Sequence, residues 1–322
     1  MRLKGNRFVI IGRAGMDFYP DPPGTKTEEA TRFFSCLGGS SANIGVAIVK
    51  LGGKADLVTC VSDDAIGRFA LNELDRYGIG RQHVRRVGGE ARTSLAVVET
   101  RIEDHQSVIY RNGAADFEMT AADVEAVDYN AYDALITTGT VFAAEPSRSA
   151  AFRGFELAKA AGLPLIFDID YRPYSWPSAA VAAEVYSRAG AMCDVIVGND
   201  VEFGFMAGDY EGGLDMARDL VAKGAKLAVY KMGEKGAVTI TQDGEITTGI
   251  YPTQALKPTG AGDSFMGGFV SGLAAGQAVR EAVLQGSAAA AMVVARVGCA
   301  PAMPTRGELE AFLSAQSAPA PA

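Results

Sequence analysis

The sequence predicts an α/β fold in which helices cover both faces of a doubly wound, mainly parallel sheet, with a small β lid standing apart from it. Three observations carry this reading. Short β-branched runs, "RFVIIG", "ADLVTCVS", "DALITTG", "LPLIFDID", "CDVIVGN" and "KLAVYKMG", are almost continuously apolar, as strands buried on both faces are. Helical patterns separate them, among them "SANIGVAIVKLG", "AIGRFALNELDRYG" and "SRSAAFRGFELAKAAG". Two segments interrupt the alternation, Asp17 to Leu37 and Arg92 to Tyr110. In the second, "TSLAVVET" and "QSVIYRN" alternate with period two and run into an Asn-Gly turn.

Taken in order, the first strand leads into the first lid segment, and "GGSSAN" then opens a helix. From Ala261 onward the pattern is helical throughout: Ala261 to Ala275, Val279 to Arg296, and Arg306 to Ser314. Neither an internal repeat nor a linker appears. The expectation is one domain over residues 1–316, with lid insertions at about 13–37 and 88–116. The Ala/Pro-rich "SAQSAPAPA" lacks periodicity, so residues 317–322 are expected to be a disordered tail.

Composition excludes several classes. With 322 residues, 48% of them hydrophobic, the chain can bury a full core. A net charge of -8 argues against nucleic acid and anionic membrane as partners, because both call for a basic face. The apolar run in "MRLKGNRFVIIG" is too short for a signal peptide, and no stretch reaches the length of a membrane span. Cys36, Cys60, Cys193 and Cys299 form no CxxC pair, so reduced thiols in a cytoplasm are expected. A small soluble molecule is the expected partner.

In open α/β sheets ligands gather at the carboxyl ends of the strands. Past the first strand comes Asp17, and past the fourth "DIDYRPYSW" with Asp168, Asp170, Arg172 and Trp176. "NDVE" with Asn199 and Glu202 follows the fifth, and "KMGEKG" with Lys231, Gly233 and Gly236 the sixth. No GxxxxGK[ST] occurs and no GxGxxG follows the first strand; two histidines and no GxSxG leave hydrolytic triads poorly supplied. Phosphate chemistry without a Walker loop remains. In "GAGD", the backbone N–H groups of Gly260, Ala261 and Gly262 can converge on an oxyanion at a helix start. Asp263 beside them is either a base receiving a hydroxyl proton during phosphoryl transfer or a first-turn acid facing the helix dipole.

The other candidates also have two readings each. Gly39 and Asn43 form a tight turn with a small-residue cap, or admit a polyol and bond one of its hydroxyls. Asp17 is a loop acid or a sugar contact. Arg111 and Arg172 are surface arginines, or neutralise a substrate carboxylate or the moving phosphoryl group. Glu202 and Asn199, a helical turn apart, are an exposed helix start or a pair that holds Mg²⁺ through water. The Ala-rich "GSAAAAMVVARVG" is a close-packed helix with room for a flat adenine.

Two longer stretches carry a resemblance. "GGSSANIGVAIVKLGGKADLVTCVSDDAIG" and "PTGAGDSFMGGF", with "NDVE" and "KMGEKG" between them in order, resemble the signatures of the ribokinase-like (PfkB) carbohydrate kinases, along nearly the whole chain. That resemblance implies a ribokinase-like fold and ATP-dependent phosphorylation of a sugar hydroxyl. It implies Asp263 as the base, Gly260, Ala261 and Gly262 as the anion hole, and Asp17, Gly39 and Asn43 as sugar contacts. Asn199 and Glu202 would arrange Mg²⁺ and phosphate; Lys231, Gly233, Gly236, Thr259 and Ser287 would complete the nucleotide site. It also implies a lid that serves as a homodimer surface. Within the family, "YRNGAAD", "GTVFAAEPSR", "DIDYRPYSW", "LKPTGAGDS" and "CAPAMPT" are similar to the 5-dehydro-2-deoxygluconokinases of myo-inositol breakdown. "YR" and "DYRP..W" also resemble 2-keto-3-deoxygluconate kinases, the nearest alternative; a fructokinase-like sugar kinase is another, and a silent sugar-binding regulatory protein a remote one. An open keto-acid sugar would give Arg111 and Arg172 a carboxylate to meet.

The resemblance also singles out Lys257. In many relatives the residue six before the catalytic aspartate is itself an aspartate that, with a later serine, helps bind a monovalent cation. Here Lys257 and Ala302 stand in those places, so the lysine ammonium is expected to substitute for the ion.

Overall fold

A computed structural model describes residues 3–320. The chain opens with β1 (Arg7–Ile11), β2 (Gly15–Pro20), β3 (Phe33–Gly38), α1 (Ser40–Lys50), β4 (Lys54–Ser62), α2 (Ala65–Tyr77) and β5 (Gly80–Val87). It continues through β6 (Leu95–Val98), β7 (Ser107–Tyr110), α3 (Ala121–Glu125), β8 (Ala134–Thr138), α4 (Ser147–Ala160), β9 (Leu165–Asp168) and α5 (Ala179–Met192). Then come β10 (Val195–Asn199), α6 (Asp200–Ala207), α7 (Gly213–Ala222), β11 (Leu227–Lys231), β12 (Ala237–Thr241) and β13 (Gly244–Thr248). Three helices close the chain: α8 (Ala261–Ala274), α9 (Val279–Val294) and α10 (Arg306–Ala315).

The main sheet has nine strands in the order β13-β12-β11-β10-β9-β8-β1-β4-β5. It is parallel from β5 to β11 and antiparallel for the last two. Its strands look apolar throughout because each is buried twice. In β1, Val9 and Ile11 enter the core that α3, α4 and α5 cover, whereas Phe8 and Ile10 enter the one under α1, α2, α8 and α9. Helices α1 and α8 touch where Gly267 meets Ala47; a Cβ on Gly267 would collide with the Ala47 methyl.

The lid is a separate four-stranded sheet, β3-β2-β6-β7, drawn from the two expected insertions. Its inner face carries Asp17, Tyr19, Cys36, Ala96 and Val98. Register places Phe18, Val97 and Val108 side by side on the outer face, where Phe33 and Tyr110 are exposed.

Strands β5, β12 and β13 lie beyond the sequence reading. "GRQHVRRV" is charged because β5 is an edge with half-exposed side chains, and the β12–β13 hairpin turns on Gln242-Asp243 at the opposite edge. The expected tail is also partly placed: Pro319 and Ala320 lie against Gly249, and residues 321–322 fall outside the described residues.

Candidate active site

The carboxyl edge of the parallel strands opens into a cavity of about 770 Å³. Asp168, Asn199 and Lys231, the last residues of β9, β10 and β11, line it; so does Arg13, two residues past β1. The lid closes over one side with Asp17, Ala96, Val98, Ser107 and Ile109. At the tip of the β6–β7 hairpin His105 Nε2 lies 3.3 Å from Thr259 Oγ1, so the lid touches the loop before α8.

Two helices aim their N-termini into this space. Gly39 precedes α1 with φ 94°, and a Cβ there would stand 2.5 Å from the Arg13 carbonyl, so only glycine fits. Gly260 precedes α8 with φ 87°, its Cα packed so that a Cβ would lie 2.8 Å from Cys299 Sγ. The N–H groups of Gly260 and Gly262 meet no backbone acceptor among the described residues, and Ala261 N–H makes only a 3.4 Å contact to Pro258 O. These donors and the α8 dipole are free to receive an anion. One turn into each helix, Asn43 Nδ2 donates to Asp263 Oδ2 at 2.9 Å.

Burial sets the charges. It raises Asp263 from 3.8 to about 6; the Asp170 carboxylate adds to this, and the Asn43 bond, Arg172 and Arg13 oppose it. It raises Asp17 to about 7, against the pull of Arg13 and with the push of Asp263. Asp168 is also pushed well above its ordinary value by burial. Asp170 goes the other way: burial would raise it, but Arg172 Nη2 at 2.7 Å from its Oδ1 holds it down. Four buried polar atoms on residues of the cavity wall lack a partner: the acceptors Asn43 Oδ1 and Asp170 Oδ2, the donor Arg13 Nε and the Thr248 hydroxyl. Such atoms are made whole by a ligand rich in hydroxyls and carrying an acceptor.

At the other end, Lys231 Nζ is 3.8 Å from where a Gly262 Cβ would stand. Beyond it Gly233, Gly236, Ile250, Ser287, Ala290 and Ala291 make a cleft floored by α9, which is flat and largely apolar. Asn199 and Glu202 form a reciprocal cap: Asn199 Oδ1 accepts from Glu202 N at 2.9 Å and Glu202 Oε2 from Asn199 N at 2.7 Å. Glu202 Oε1 also accepts from Tyr171 N at 3.3 Å. Its carboxylate is thus oriented toward the cavity with lone pairs to spare. No group of three or more His, Cys, Asp or Glu converges on a metal position among the described residues. This donor set fits a hydrated Mg²⁺ held through water and phosphate, not one ligated by a protein cage.

Asp17, Gly39, Asn43, Arg172, Asn199, Glu202, Lys231, Gly233, Gly236, Thr259, Gly260, Ala261, Gly262, Asp263 and Ser287 all line the one cavity. Arg111 does not, and this corrects the sequence reading. Its Nη2 pairs with Asp116, its Nη1 donates to Thr140 O at 2.9 Å, and its guanidinium lies 4.1 Å over the Phe117 ring. Lys257 sits behind the wall, fully buried, with Nζ donating to Thr259 O at 2.6 Å and Val293 O at 3.4 Å. Sequence reasoning missed Arg13, Ser40, Tyr174 and His105. Arg13 alone left a signal, its place just past the first strand.

The pfkB family carbohydrate kinase model matches residues 6–306. This chain belongs to that family. The kinase is 35% identical over 311 residues to a 5-dehydro-2-deoxygluconokinase of Photobacterium profundum, covering 95% of this chain and 94% of that one. Among solved structures it resembles a PfkB protein from Polaromonas sp. JS666, with a TM-score of 0.82, 28% identity and coverage of 95% and 100%. A double mutant of a fructokinase from Vibrio cholerae O395, solved with fructose, ADP and a potassium ion, matches with a TM-score of 0.85, 26% identity and coverage of 97% and 99%. The kinase therefore has a ribokinase-like fold, and the lid over its cavity is part of that architecture.

Proposed function

We propose that this kinase transfers the terminal phosphoryl group of ATP to the 6-hydroxyl of 5-dehydro-2-deoxy-D-gluconate, in cytoplasmic inositol breakdown. The observation that carries the reading is the place of Asp263. Its carboxylate bonds Asn43 at the hydroxyl-seeking end of the cavity, while the adjacent Gly262 faces Lys231 at the anion-seeking end. A hydroxyl presented there gives its proton to Asp263 as its oxygen bonds to phosphorus and the bond to the β-phosphate oxygen breaks. The N–H groups of Gly260, Ala261 and Gly262 hold the charge of the moving group, and Lys231 holds that of the leaving phosphate. Asn199 and Glu202 would hold a hydrated Mg²⁺, which would supply neutralisation of the phosphate charge when bound. Asp17, Gly39 and Asn43 take the sugar, and Gly233, Gly236, Thr259 and Ser287 the nucleotide.

Lys257 replaces a monovalent cation: its buried ammonium ties two carbonyls together behind the anion hole, and a fructokinase of the same fold was solved with a potassium ion bound. The apolar outer face of the lid makes a homodimer contact. Asp263→Asn tests the reaction. The amide keeps the shape and loses the base, so turnover is expected to fall by about 10²- to 10⁴-fold while folding and ATP binding persist. Comparable turnover in the variant overturns the assignment.

A further inference from the structure

Two arginines, Arg13 and Arg172, line the sugar end of the cavity, Arg111 lies outside its lining, and the partners of the three differ. Arg111 has Asp116 and Arg172 has Asp170. Arg13 is 7% exposed, yet among the described residues it forms no ion pair. Its Nη1 makes one long contact, 3.3 Å to Ser94 Oγ, and its Nε has no partner. A guanidinium taken out of water without a counter-ion is costly, and the cost is recovered when an anion arrives.

The backbone fixes where that anion must sit. The Arg13 carbonyl accepts from Ala42 N at 3.2 Å, which pins the residue at the start of α1 beside Gly39 and Ser40. Arg13 lines the cavity with Asp17, Gly39, Ser40 and Asn43, at the sugar end, whereas Lys231 stands by Gly262 toward the nucleotide cleft. An anion here is part of the acceptor and not of the phosphoryl donor.

We infer that Arg13 is the specificity-determining receptor for the carboxylate of the acceptor sugar, with Arg172 kept for Asp170. The inference rests on the keto-acid reading above. A planar carboxylate can meet Nε and one Nη of a guanidinium together, which a ketone or hydroxyl cannot do.

The test compares 5-dehydro-2-deoxy-D-gluconate with its C1 amide, a neutral twin of the same shape, in the wild type, Arg13→Gln and Arg13→Lys. Arg13→Gln is expected to raise KM for the acid about ten- to a hundredfold and KM for the amide less than about threefold, with Arg13→Lys between. Equal losses on both twins, or an unchanged KM for the acid, overturn the role of Arg13 and leave the reaction standing. A wild type that phosphorylates neither twin overturns the reaction itself and this inference with it. Should the variants fail to fold, calorimetry on the wild type decides: binding the acid no more tightly than the amide overturns the proposal.

Discussion

At the scale of single residues, the proposed chemistry rests on a carboxylate that burial leaves only just ionised at neutral pH. Burial raises Asp263 to about 6, and only its ionised form can take a proton. The raised value therefore places the loss of activity on the acid side: kcat is expected to be level above pH 7 and to fall about tenfold per unit below about 6. A profile level down to pH 4 would show that another group accepts the proton. Arg111 makes the contrasting case. Paired with Asp116 inside the protein, it holds structure, so Arg111→Ala is expected to cost about 3–5 kcal/mol of stability in denaturant unfolding. Selective loss of an acidic substrate at unchanged stability would return Arg111 to the site. Asp263, Asn43 and Glu202 were legible because a local motif supplies each one's setting. Arg111 and Arg13 were not, since a guanidinium reaches far and its partner is chosen by the tertiary fold; Asp116, five residues on, was the one nearby hint.

Among the elements, the loop before α8 matters most, and Lys257 shapes it from behind. Its ammonium donates to Thr259 O at 2.6 Å and Val293 O at 3.4 Å, joining this loop to the end of α9. The wild type is expected to work equally well in potassium and in tetramethylammonium at fixed ionic strength. Lys257→Ala should lose about a hundredfold in turnover, the usual cost of displacing reacting groups by about 1 Å, and recover part of it in potassium. Strong potassium activation of the unaltered enzyme would refute the substitution. The buried parallel strands and the glycine-led helix starts could be read from sequence because their patterns are set by burial on two faces. The edge strands β5 and β13 could not, because exposed positions accept any polar residue.

For the whole molecule, the lid is the element with an unmet surface. Phe18, Phe33, Val97, Val108 and Tyr110 share its outer face, and a second copy would cover them. Sedimentation is expected to give a dimer for the wild type and a monomer for Phe33→Ser with Val108→Ser; a monomeric wild type would exclude the contact. The lid's strands were legible from period two, but what covers them was not, since pairing between chains leaves no local pattern. The contact of Gly267 with Ala47 has a different kind of reach. Each lies four residues beyond a member of the Asn43–Asp263 pair, on α8 and α1 respectively. The spacing between Asn43 and Asp263 is thus gauged by how closely Gly267, lacking a side chain, lets the Ala47 methyl approach. Genetic drift at either position would present as a loss of catalysis in a protein that still folds, and no inventory of reactive groups would point to the cause.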